Sequence, residues 1–152
     1  MTALEPSAVD ALIRRQVYDH TLTYGRPPTR AELVAASGLE TDALDASLRR
    51  LAEGRVVVLQ PVSGALLMAN PFSAVPTPFL VDATGYRAWG NCIWDAMGIP
   101  AMLGAPGTIR TSCGCCGDEM VLDVDGAGNV RGDGIVHFGV PAARWWENIV
   151  FT

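Results

Sequence analysis

The sequence contains no lysine, and all 11 basic residues among its 152 are arginine. We attribute this to the codon usage of a GC-rich genome. Acidic residues outnumber basic ones, with a net charge of −5, so the basic surface of a general nucleic-acid binder is missing. No apolar run reaches the ~18 residues that a membrane span requires. The N-terminal stretch MTALEPSAVDALIRR lacks the apolar centre of a signal peptide. We therefore expect a cytoplasmic protein with no membrane partner.

Several motifs are also missing. Without a P-loop, a GxGxxG or a GxSxG sequence, phosphate binding and serine hydrolysis have no support. Hydrophobic residues make up 49% of the chain and charged residues only 18%, which excludes wholesale disorder because such a chain buries a sizeable core.

The first part of the sequence, residues 1–70, has the pattern of three helices. Apolar residues recur at helical spacing from Ser7, the expected N-cap, to Tyr24. Thr29 and Glu32 form a capping box for a second helix, and a third spans 41–53. Strand-like runs follow at 56–59 and 64–68. Three helices before a β-ribbon are typical of a winged helix.

A winged helix has two interpretations. It binds DNA, here through Arg49 and Arg50 on the third helix, or it serves as a structural or dimerisation module. Glu40, Asp42 and Asp45 at the start of that helix repel phosphate, so nucleic acid is not the expected partner.

A Pro-rich linker is expected at 71–78, followed by an α+β domain at 79–152. Its predicted elements are a strand at 79–81, a helix near 86–97 ended by Gly98 and Pro100, strands at 108–112, 120–125 and 135–140, a short helix entered at Pro141, and a strand beginning at Ile149. Trp145 and Trp146 are expected to seal the core. The predicted fold class is α+β: a winged-helix-like region with a β-ribbon, packed on a mixed β-sheet domain with a flanking helix.

Two of the candidate site residues are Cys92 and Asp95. Residues three apart on a helix share a face, so the thiol and the carboxylate are neighbours while Trp94 points into the core. A carboxylate beside a thiol can accept its proton and return it to a developing carbanion. The alternative is a small buried cysteine and an ordinary solvated aspartate.

Three more thiols, from Cys113, Cys115 and Cys116, fall on one Gly-containing turn between two predicted strands. In a reducing compartment clustered cysteines are more often metal ligands than disulfides. Soft ions prefer thiolates, and a structural zinc would need a fourth ligand such as Cys92 or His137. The alternative is that one cysteine packs in the core and the others are incidental. His20 has no evident role.

Together these segments resemble the alkylmercury lyase family. The resemblance is most specific in the sequence YRAWGNCIWD at 86–95 and the IPAMLG that follows at 99–104, and extends to the winged-helix-like part and to 145–152. It implies cleavage of carbon–mercury bonds without an organic cofactor. Cys92 would bind the organomercurial, Asp95 would protonate the departing carbon, and Cys113 would have a more structural role.

The sequence departs from this family at one point. The second catalytic cysteine of the family lies just after a stretch similar to 149–152 and has no counterpart here, so we expect the 79–152 domain to be incomplete at its C-terminus. The resemblance implies organomercurial substrates, cellular thiols as partners, Hg(II) as bound product and a role in mercury resistance. We expect Cys92, Cys113, Cys115 and Cys116 to bind the metal, with the turn thiols in place of the missing cysteine.

Two other functions are compatible with the sequence. One is a non-catalytic soft-metal binder or sensor in which the winged helix and the CGCC turn act together. The other is an accessory protein that has kept the fold but lost the mercury chemistry. Turnover that depends on Asp95 distinguishes the lyase from both.

Overall fold

The computed structural model describes residues 5–150. Three helices come first: α1 (Pro6–Tyr24), α2 (Arg30–Ser37) and α3 (Thr41–Glu53). A three-stranded antiparallel sheet follows, made of β1 (Val57–Leu59), β2 (Leu66–Ala69) and β3 (Phe72–Ser73). The three predicted helices and the β-ribbon are therefore present, and their assignment as a winged helix stays a prediction.

The helix ends follow from local sequence. Thr29 and Glu32 form the predicted capping box of α2. The prediction of Ser7 as the N-cap of α1 is wrong. Glu5 is the N-cap, and Pro6 occupies the first turn of the helix. Proline fits there because the first turn leaves its N–H groups unpaired in any case.

The second half is a five-stranded antiparallel sheet with one helix against it, so the fold class is α+β with two sheets. The strands are β4 (Leu80–Ala83), β5 (Tyr86–Trp89), β6 (Gly107–Ser112), β7 (Glu119–Val124) and β8 (Val130–Arg131), in the order β5-β4-β6-β7-β8. Helix α4 (Ile93–Leu103) connects β5 to β6.

The predicted helix at 86–97 is wrong in its first half. Residues Tyr86–Trp89 are strand β5, which pairs with β4 across a turn at Gly85, where φ is +89°. Helix α4 begins only at Ile93 and runs past Gly98 and Pro100 to Leu103. Pro100 is fully buried, and its packing against the sheet outweighs the backbone hydrogen bond that it cannot make.

The predicted strand at 135–140 is also wrong. These residues are irregular, and Ile135 is 94% exposed. Gly132 and Gly134 have φ near +146° and +148°, which ends the pairing with β7 after β8. Further on, Ala142–Glu147 is a 3-10 helix, and Ile149 lies in a turn instead of a strand.

The described residues form two hydrophobic clusters. One unites α1, α2, α3, β1 and β2, and the other lies between α4 and the larger sheet. Tyr18 and Leu22 of α1 pack against the second cluster, and Phe72, inside the expected linker, is fully buried in it. Trp145 is half-buried and Trp146 is 37% exposed, so neither seals a core as predicted. Within residues 5–150, no helix is long and apolar enough to cross a membrane.

Candidate active site

Three hydrogen bonds to the backbone of Gly90 and Asn91 fix the segment that precedes α4. The Gly90 N–H donates to the carbonyl of Phe79 at 2.9 Å, and the Gly90 carbonyl accepts the Thr77 hydroxyl at 2.6 Å. The Asn91 N–H donates to the Pro71 carbonyl at 3.2 Å. An added Cβ on Gly90 would lie 2.8 Å from the backbone nitrogen of Ala96, so only glycine allows the end of β5 to approach the first turn of α4 this closely.

Cys92 is the N-cap of α4, and Asp95 lies in the first turn. The sequence places both residues inside a helix, whereas the backbone of Cys92 is extended, with φ −142° and ψ 179°. Its carbonyl accepts the Ala96 N–H at 2.9 Å, which starts the helix. Both side chains are half-buried. The cap geometry therefore brings the thiol and the carboxylate together as the spacing predicts.

Burial dominates the electrostatics of this pair. It raises the pKa of the Cys92 thiol; the Asp95 carboxylate beside it acts in the same direction, and the N–H groups of Asp95 and Trp94 oppose it. Burial also raises the pKa of Asp95, against the opposing effect of hydrogen bonds from Asn91 and Cys92. The pair thus retains protons to a higher pH than the free amino acids would.

Two asparagines and a tyrosine support the pair. The Asn91 side chain donates to the Asn70 side-chain oxygen at 3.3 Å, and the Tyr18 hydroxyl donates to the Asn70 carbonyl at 2.7 Å. Asn91 is adjacent to Cys92 in sequence and can be found from the motif. Asn70 and Tyr18 are far from it in sequence, and no pattern in the sequence indicates their role.

Trp94 does not point into the core as predicted, since it is 57% exposed. Its ring meets that of Phe138 edge-on at 6.3 Å between centroids, and Phe138 lies 5.2 Å from Trp145. The Trp145 indole N–H donates to the Val140 carbonyl at 2.8 Å. These three rings connect the start of α4 to the irregular segment that follows β8.

The three clustered thiols lie on the turn that connects β6 to β7, between two strands as the sequence predicts. Cys113 is half-buried, and Cys115 and Cys116 are exposed. The Cys115 N–H donates to the Cys113 sulfur at 3.4 Å, and the Cys116 thiol donates to the Asp118 carboxylate at 3.2 Å. The amides of Cys116 and Cys115 lower the pKa of Cys113, because they stabilise its thiolate.

A cavity of about 850 Å³ lies between α4, the sheet and the segment after β8. Its walls include Ile93, Met97 and Leu122, and Cys113, Cys115 and His137 are among its lining residues. No group of three or more His, Cys, Asp or Glu side chains in residues 5–150 could hold a metal ion. Cys92 and the turn thiols therefore do not form one preassembled three-ligand site in this part of the chain.

The two arginines considered for DNA binding differ in their surroundings. Arg50 makes two hydrogen bonds to the Asp10 carboxylate, at 2.7 and 2.8 Å, which also lower the pKa of Asp10. Arg49 is exposed.

His20 lies 3.8 Å from the Glu32 carboxylate and packs against the ring of Tyr24. Its position in the sequence did not suggest either contact.

Comparison with known proteins adds two findings. The model of the family described as alkylmercury lyase (MerB) matches residues 72–152. Among solved structures, the chain is similar to the mercury-bound form of MerB2, with 17% sequence identity and a TM-score of 0.57. This match covers 84% of this chain and 66% of that one. No curated protein sequence matches the chain. At this identity the structural match supports the fold, and the family match covers the whole segment from β3 through Cys92 and the cysteine turn.

Proposed function

This chain belongs to the alkylmercury lyase family, and from that premise we propose that it cleaves the carbon–mercury bond of organomercurial compounds by protonation. The observation that carries the proposal is the contact between the Cys92 thiol and the Asp95 carboxylate at the N-terminus of α4. The two groups supply what the reaction needs: a soft sulfur ligand for mercury and an acid beside it.

The first step is thiol exchange. An organomercurial carried by a cellular thiol meets Cys92, and the Cys92 sulfur replaces the carrier on mercury. The S–H proton passes to the Asp95 carboxylate, and the carrier leaves as a thiolate. Because burial raises the pKa of Cys92, the thiol is protonated at rest and can supply this proton.

The second step is protonation of carbon. The carbon–mercury bond breaks, its electron pair stays on carbon, and the proton on Asp95 completes the hydrocarbon product. Hg(II) remains on the Cys92 sulfur. A raised pKa suits Asp95 for this role, because the carboxyl group holds its proton until the carbanion develops.

Release of the product requires a second thiol. We expect thiols of the turn between β6 and β7 to share Hg(II), since thiolates outcompete oxygen and nitrogen ligands for soft ions. Cellular thiols then remove the ion, which fits a cytoplasmic, reducing compartment and a role in mercury resistance. No organic cofactor takes part in this scheme.

The test is protonolysis of a simple arylmercury salt in excess thiol. We expect Asp95→Asn and Cys92→Ser each to lower turnover by at least about 100-fold, the usual contribution of a positioned general acid or a nucleophile. Asp42→Asn, on the exposed first turn of α3, is the matched control and keeps wild-type turnover. Full turnover in Asp95→Asn would refute the proposal.

A non-catalytic soft-metal binder is the second candidate, and the three thiols on the β6–β7 turn favour it. It predicts tight Hg(II) binding without any hydrocarbon product from the wild-type protein. The same assay, with the hydrocarbon measured by gas chromatography, separates the two functions.

A further inference from the structure

The turn between β6 and β7 arranges its thiols unequally. The Cys116 thiol lies between two acceptors, the sulfur of Cys113 and the Asp118 carboxylate. The thiols of Cys113 and Cys116 are near enough for each to shift the pKa of the other, with Cys116 lowering that of Cys113 and Cys113 raising that of Cys116. Cys115, in contrast, reaches the Cys113 sulfur through its backbone N–H, and its own thiol takes no part in that contact.

We propose that Cys113 and Cys116 form a dithiol site for a soft thiophilic cation such as Hg(II), and that this site binds the ion independently of Cys92. The inference rests on the proposed function only in its choice of Hg(II) as the cargo. It also narrows the set of turn ligands from three thiols to two.

The backbone of the turn makes the site ready for a cation. The Cys113 N–H donates to the Asp118 carbonyl at 2.8 Å, and the Gly117 N–H donates to the Cys113 carbonyl at 2.9 Å, which closes the loop between the two strands. Gly117 adopts φ +79°, a conformation that glycine tolerates at no steric cost. These backbone contacts hold the two cysteines on one closed turn before the ion arrives, so that little backbone conformational entropy is lost on binding.

The exchange balances with these two thiols alone. Hg(II) arrives bound to two carrier thiolates, and the Cys113 sulfur displaces one of them, which leaves as a free thiol with the proton of Cys113. The Cys116 sulfur displaces the other, and the proton of Cys116 leaves on that carrier. Two new sulfur–mercury bonds replace two old ones, with no change of oxidation state. Exposure of Cys116 leaves room for the carriers to depart.

The experiment measures Hg(II) retained by the full chain in excess monothiol, by equilibrium dialysis and mercury analysis. All variants carry Cys92→Ser, which removes the other candidate site. We expect this background protein to retain one Hg(II) per chain. Adding Cys113→Ser or Cys116→Ser should weaken retention by at least about 100-fold, because a chelating pair becomes a single ligand. Adding Cys115→Ser, the matched control on the same turn, should leave retention unchanged.

Two results would overturn the dithiol. One is strong retention after Cys113→Ser or Cys116→Ser, and the other is a loss after Cys115→Ser as large as theirs. Circular dichroism of each variant verifies folding, which serine on this turn should not disturb. Failure of the proposed lyase function would give a different result. The wild-type protein would then show no turnover, while the Cys92→Ser variant would still retain Hg(II) at the turn.

Discussion

The half-buried carboxyl of Asp95 has a cost in stability if it serves as the proposed proton donor. Burial raises the pKa of the Asp95 carboxyl in the folded protein above its pKa in the unfolded chain. The folded state therefore binds more protons, and this contribution to stability is lost as pH rises through the pKa of the folded state. At neutral pH the fold carries a carboxylate that is poorly solvated.

We predict that Asp95→Asn increases the free energy of unfolding at neutral pH while it abolishes turnover, because the amide has no charge to desolvate. The advantage should disappear on acidification, when the wild-type carboxyl is protonated. Urea unfolding at neutral and acidic pH measures both. If Asp95→Asn is no more stable than Asp42→Asn, its exposed control, burial of this carboxyl has no energetic cost.

The position of helix α4 depends on one close contact, between Gly90 and Ala96. An added Cβ on Gly90 would lie 2.9 Å from both the Cα and the Cβ of Ala96, whereas nothing lies within 4 Å of a Cβ on Gly98 in the same helix. We predict that Gly90→Ala lowers the free energy of unfolding by about 1–3 kcal/mol, as overpacking does. It should also lower turnover, because the first turn that holds Cys92 and Asp95 must move.

The matched substitution on α4 should act in the opposite direction. Gly98→Ala adds a methyl group in open space inside the helix, which should raise the free energy of unfolding by up to about 1 kcal/mol. Chemical unfolding of both variants tests the pair. Equal effects of the two substitutions would mean that the contact between Gly90 and Ala96 does not control the position of the helix.

Helix α1 joins the two hydrophobic clusters. Tyr18 packs against the second cluster, edge-on to Phe72 with 6.3 Å between ring centroids, and its hydroxyl donates to Asn70. We predict that Tyr18→Phe lowers the free energy of unfolding by about 1 kcal/mol, the usual value of one such hydrogen bond. It should also weaken turnover slightly, since Asn70 contacts Asn91.

The same connection predicts cooperative unfolding. The four tryptophans, at positions 89, 94, 145 and 146, lie outside the first cluster, but the ring of Trp146 lies 5.1 Å from the guanidinium carbon of Arg55, between α3 and β1. In a Trp146→Phe variant the remaining tryptophan fluorescence therefore reports the second half. Circular dichroism is dominated by helices α1 to α3, which belong to the first half. We expect the two signals to give one coincident transition. Separate transitions would show that the clusters unfold independently.

Most of the local structure could be predicted from the sequence. The capping box at Thr29, the helix at 41–53 and the antiparallel strands on both sides of the cysteine turn depend on contacts within a few residues. The α+β class follows from these helices and strands, and the family follows from the sequence at 86–95 and 99–104. The pairing of Cys92 with Asp95 was also predictable, because positions three apart at a helix start remain neighbours whether the first is inside the helix or caps it.

Tertiary structure decided the rest. It made Tyr86–Trp89 a strand by pairing it with β4, kept Pro100 inside α4 by burying it, and left 135–140 irregular after two glycines. It also placed Asn70 and Tyr18 beside the candidate site and exposed Trp94. Each of these outcomes depends on a partner distant in sequence or on the conformation of a neighbouring segment. Local sequence determines which backbone conformations are low in free energy, and contacts with distant segments select one of them.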